Sequence, residues 1–163
     1  MSTIVATNIQ SDTIKHSGGT TAMTIDSTGR VFQPTKPAFN AHRETGSNIN
    51  SGTFVFNSTT VNIGGGFNTS TGKFTVPVGG TYFFSTNCLT SSNADANDLQ
   101  IRVDDTNIAQ SRADVGSAAH NTVSISVIAT LTANQVVEVF VAGGSGFYSG
   151  TGKFATFCGY LIG

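Results

Sequence analysis

Between residues 122 and 131, apolar Val123, Ile125, Val127, Ala129 and Leu131 interleave with polar Thr122, Ser124, Ser126 and Thr130. A period of two places the sets on opposite faces of an extended chain, which is the pattern of a half-buried β-strand. Leu99, Ile101 and Val103 alternate with Gln100 and Arg102 in the same way. Residues 104–107 (DDTN) read as a turn, because Asp and Asn tolerate tight-turn geometry, and 108–112 as the returning strand. Short apolar runs at 39–43, 53–57, 73–78, 82–89, 136–141 and 154–162 are further strands, bounded by Pro37 and by glycines at 79–80, 143–146 and 150–152. No stretch longer than eight residues carries a helical period. Many short strands separated by turn signals predict an all-β sandwich or jelly roll.

Several of these strands are apolar at adjacent positions. In Tyr82, Phe83 and Phe84, and again across 157–162, large side chains fall on both faces. A sandwich strand buries one face against the opposite sheet. The other needs a cover, and the simplest cover is another copy of the chain, so an oligomer is expected. The first 36 residues differ. Ile4, Val5, Ile9, Ile14, Met23, Ile25 and Val31 are scattered among Thr, Ser and other polar residues, too sparsely to fold alone. This segment is expected to be an anchoring arm that orders against a partner or against its own copies, or else a flexible tail. Residues 32–37, with Pro34 and Pro37, form its stiffened connection to a domain at 37–163.

Charge narrows the function. Asp, Glu, Lys and Arg supply 10% of residues, against roughly 25% in an average soluble domain. Net charge is −1 with no basic patch, so nothing in the chain draws a phosphate backbone, and nucleic acid is not an expected partner. Nor is a membrane: no run approaches the roughly 20 apolar residues of a spanning helix, and the N-terminus lacks the basic start and apolar stretch of a secretory signal. Cys88 and Cys158 lie in apolar segments and read as small buried hydrophobes, with a disulfide left open. No nucleophile elbow is present, and Gly64, Gly65 and Gly66 lack the Lys that a phosphate loop needs. No enzyme is expected, and no cofactor. Asp95 and Asp98 (in SSNADAND) and the Asp104–Asp105 pair read as solvated turn carboxylates, with calcium between subunits as the other reading.

From Phe56 onward a spaced pattern runs through Asn62, Phe67, Phe74, Gly80, Tyr82 and Phe84. It resembles the signature of the globular head domain of complement first component, subcomponent q, which shares its trimeric jelly roll with tumour necrosis factor. Thr86 stands where the signature carries its last aromatic residue. The stretches TGKFTVPVGGTY at 71–82 and FCGYLI at 157–162 extend the likeness, which covers about residues 37–163. The resemblance implies a ten-stranded jelly-roll sandwich assembled as a homotrimer. It makes Phe157 a candidate for the trimer axis or core, with Tyr82, Phe84 and Tyr160 as core or subunit contacts. The arm is similar in style to N-terminal segments of tailed-phage structural proteins.

The expected function is therefore a phage virion structural protein, a trimeric capsid decoration protein or short head fibre held to the major capsid or another virion protein through its arm. The alternative is a tail-associated protein that binds a receptor or host surface glycans through apical loops carrying Asn93, Asp95, Asp98, Phe147 and Tyr148.

Overall fold

Strand register decides which side chains meet. The computed structural model describes residues 11–91, 96–114, 120–144, 146–148, 150 and 152–163. The chain divides into two compact units, 1–36 and 37–163.

In the first unit, β1 (Thr13–Lys15), β2 (Thr21–Ile25) and β3 (Val31–Phe32) form a three-stranded antiparallel sheet in chain order. The β2–β3 turn is built on Asp26. Its Oδ1 accepts from the backbone N–H groups of Thr28 (2.9 Å) and Arg30 (3.0 Å) and from the Thr28 hydroxyl (2.7 Å), while Oδ2 accepts from Arg30 Nε (2.7 Å). These donors, the Arg30 backbone first, hold the Asp26 carboxyl well below the usual carboxylate range.

The second unit contains β4 (Ala38–His42), β5 (Gly52–Thr53), β6 (Ser58–Ile63), β7 (Phe67–Asn68), β8 (Lys73–Thr75), β9 (Gly80–Leu89), β10 (Asn97–Val103), β11 (Thr106–Ala113), β12 (Thr122–Leu131), β13 (Val136–Gly143) and β14 (Ala155–Leu161). One sheet has the order β12-β9-β14-β4-β6. The other runs β11-β10-β13-β8-β7, with β5 also pairing β13. The two pack as an all-β sandwich. It has eleven described strands against the ten expected, of which β5 and β7 are two-residue pairings.

The run at 53–57 is not a strand beyond Thr53. It is the crossover from β5 in one sheet to β6 in the other, and both Phe54 and Phe56 point into the core as it passes. β6, which carries polar STTVN, is a strand that alternation did not announce. It lies at a sheet edge, where solvent accepts polar side chains on both faces.

Inward positions of β9 (Tyr82, Phe84, Thr86, Cys88) meet those of β10 (Leu99, Ile101, Val103) and β13 (Val137, Val139, Val141). The aromatic centre is Phe39, stacked on Phe67 (4.9 Å between centroids) and Phe74 (4.7 Å) and edge-on to Phe157 (4.9 Å). Gly159 makes room for this cluster. A Cβ there would lie 2.5 Å from Phe84 Cδ1 and 2.7 Å from Phe39 Cε1. Thr86, in the place of an aromatic, is buried with its hydroxyl donating to the Thr156 carbonyl at 2.8 Å. A buried hydroxyl that is hydrogen-bonded carries no desolvation penalty large enough to exclude it.

Candidate functional site

The outward faces of the two sheets differ, and the difference locates the site. On the six-stranded sheet, the outward side chains at the centre of the face pair with one another. Arg102 Nε donates to Gln100 Oε1 (2.7 Å), and Gln100 Nε2 donates to Gln110 Oε1 (3.1 Å). The Arg102 guanidinium covers the Phe140 ring at 3.3 Å. Buried Glu138 accepts from the Thr53 hydroxyl (2.6 Å) and pairs with Lys73 Nζ (3.2 Å).

The five-stranded sheet leaves an apolar band uncovered. Register aligns Ile128 with Phe83, Phe83 with Tyr160, Tyr160 with Ala38, and Ala38 with Ile63. This row crosses all five strands. Ile128 is 62% exposed and Tyr160 49%, and the Phe83 and Tyr160 rings lie 5.4 Å apart. The next outward row is Ser126, Ser85, Cys158, Asn40 and Val61. There Ser85 and Ser126 share a hydrogen bond of 2.9 Å. Beyond it, the Thr156 hydroxyl donates to Asn87 Oδ1 at 2.6 Å. The face is thus an uncharged apolar stripe beside a ladder of hydroxyls and amides.

Parity along the strands sorts the candidate residues. Phe157, Tyr82 and Phe84 are fully buried in the sandwich, so the axis-facing role raised for Phe157 gives way to a core role. Tyr160, three residues on, has the opposite parity and faces out. Its partners Phe83, Ile128 and Ile63 were not singled out as site residues, because only register places them in one row. Cys88 points inward and Cys158 outward, and both are free thiols. Burial pushes the Cys88 thiol up to about 12 and raises that of Cys158.

The end of the sandwich away from Pro37 carries the loop candidates. Phe147 is not a surface residue. It is fully buried, bridged to Ile49 and Thr90, with its ring 6.1 Å from Phe54. Tyr148 is half-buried and packs edge-on between His120 (5.5 Å) and Phe154 (5.7 Å). Asp98 faces Arg112 at 3.8 Å. Asn93 and Asp95 lie outside the described residues, as do Ile4, Val5 and Ile9 of the arm. Asp104 closes the β10–β11 turn, where it accepts from the Val136 N–H (2.9 Å) and from Gln135 Nε2 (3.0 Å), and these bonds lower its pKa. Asp98 and Asp104 stand at opposite ends of β10, about 20 Å apart at strand rise, so one chain does not bring them to a common cation. Among the described residues, no group of three or more His, Cys, Asp or Glu side chains is placed to hold a metal.

Two packed antiparallel sheets with this strand order define a jelly-roll domain. The C1q domain family model matches residues 38–162, and the chain belongs to that family. C1q domains are non-catalytic binding domains and typically trimerise. Among solved structures, the globular domain of zebrafish complement 1qA protein is similar, with a TM-score of 0.67 and 22% identity over 78% of this chain and 98% of that one. No curated protein matches the chain.

Proposed function

We propose that this chain is a homotrimeric binding and structural module: three C1q heads packed through the outward face of the β12-β9-β14-β4-β6 sheet, joined to a larger assembly by the arm at 1–36. The observation that carries the reading is the aligned row of Ile128, Phe83, Tyr160, Ala38 and Ile63. Apolar surface of this kind is stabilised by removal from water at about 25 cal/mol per Å², and the opposite sheet's outward face has no comparable need. A Tyr160→Glu, Ile128→Glu double variant is expected to sediment as a monomer with unchanged β-sheet circular dichroism. A variant that stays trimeric contradicts the interface.

The larger assembly proposed is a virus particle, with the trimer as a capsid decoration protein or short head fibre. A charge-poor composition and an arm that forms a unit of its own support this. Three linked arms would convert weak contacts into firm attachment. Counting the protein in purified particles by quantitative mass spectrometry tests it. Hundreds of copies agree with decoration, and absence contradicts the virion role.

A second reading, glycan binding at the apical end, is favoured by one feature. Phe154, 47% exposed, packs on Gly152 beside an open groove of 430 Å³ lined by Glu44, Thr45, Gly152 and Lys153. An exposed ring next to polar groups suits stacking on a sugar. In this reading, Phe154→Ala abolishes binding on a glycan array, and a handful of copies per particle replaces hundreds.

A further inference from the structure

The arm has an apolar face of its own. Cross-strand partners share a face, as do residues two apart along a strand. Ile14 pairs with Met23, and Ile25 pairs with Val31. With Met23 and Ile25 two apart, register collects Ile14, Met23, Ile25 and Val31 on one side of the β1-β2-β3 sheet. Thr13, Thr24 and Phe32 fall on the other.

No residue from 11 to 36 is buried. Ile14 is 47% exposed and Val31 59%. The Asp26 turn is closed by its own hydrogen bonds, while on the face above it Ile14 and Val31 are exposed and Met23 and Ile25 only half-buried. A three-stranded sheet of this size needs a packed face to be stable in water.

We infer that the cover is the same face of two further copies: the three arms of one trimer turn Ile14, Met23, Ile25 and Val31 toward a common axis and pack as a three-sided prism. This rests on the trimeric head proposed above. Two observations select identical copies as the occupant. Its four apolar side chains carry no charge, and the one carboxylate of the same parity, Asp12 opposite Ile25, is exposed at the margin of the face, outside the apolar patch that meets its image. The arm also ends at Lys36 and the head begins at Pro37, so a trimer of heads tethers three such faces at millimolar effective concentration, on the order expected for short connections. The apolar residues of the arm then hold the copies to one another, and attachment to a larger assembly falls to the outer face, where Phe32 stands.

The test uses the full chain with Cys158→Ser as background and one new cysteine at a time, Met23→Cys on the inferred inner face or Ala22→Cys on the outer. Each is treated with a short bismaleimide at submicromolar protein and run on a denaturing gel, with sedimentation velocity in parallel. The expected result is a trimer in which Met23→Cys yields roughly tenfold more interchain product than Ala22→Cys, as intramolecular proximity predicts. A trimer with equal crosslinking at both positions, or none at Met23→Cys, overturns the inference and leaves the trimeric head standing. A monomer overturns both. As a second variant, Met23→Asp is expected to expose the arm to protease while the head remains trimeric, and an arm that stays protected counts against the inference.

Discussion

At Gly159 the absence of a side chain is what the core requires. An added methyl group would meet Phe84 and Phe39 rings that are already packed against Phe157. Gly159→Ala is expected to destabilise the head by roughly 1–3 kcal/mol through overpacking, and Phe157→Ala by about 3–5 kcal/mol through the cavity it leaves. Urea unfolding checks both, and a Gly159→Ala midpoint at or above that of the wild type contradicts the account. The thiols follow from the same parity. Cys88 is enclosed, and its pKa of about 12 leaves almost no thiolate at pH 8. An aromatic disulfide reagent is therefore expected to spare Cys88 in the folded chain and to titrate both thiols in denaturant. Cys158 lies in the outward row beside Ser85, so its modification is expected to accelerate when the Tyr160→Glu, Ile128→Glu double variant opens the trimer. Equal rates for the two native thiols would contradict the placement.

At the scale of elements, the β10–β11 hairpin turns on two residues only. Asp104 (φ 47°) and Asp105 (φ 64°) are both left-handed, as a two-residue hairpin loop demands. Asp105→Val is expected to cost roughly 1–2 kcal/mol, because a β-branched side chain is strained in the left-handed region that Asp tolerates, whereas Asp105→Gly is expected to leave the melting temperature at or above that of the wild type. A stable Asp105→Val variant would contradict the turn. The reading of 104–107 as turn found the hairpin but made the loop two residues too long. Thr106 and Asn107 look like turn residues, yet they start an edge strand whose outer side is free to be polar. The same cause hid β6. Apolar content misled in the opposite sense at 54–57, where two phenylalanines anchor a crossover rather than a strand. β12 was legible, although it lies at a sheet edge, because one of its faces is buried in the core and burial imposes a period of two; β6, with neither face buried, and the crossover escape that constraint.

For the whole molecule, the sandwich and its family membership were written in the Phe, Gly and Tyr spacing from Phe56 to Phe84, where each residue fills a core or turn position. That some faces needed a second cover was also legible, from adjacent large residues at 82–84 and 157–162. Which residues form the cover was not. Phe157 and Tyr160 look alike in sequence, and only pairing to β9 and β4 shows that one is enclosed and the other exposed. Ile128 and Ile63 join Tyr160 because five strands share one register, a property no single segment carries. The apolar face of the arm was hidden for the same reason. The most direct test is sedimentation velocity of the intact chain, diluted through the micromolar range. The account predicts one species with the mass of three chains that persists on dilution and dissociates when Tyr160 and Ile128 become Glu. A folded wild-type monomer at those concentrations would contradict it.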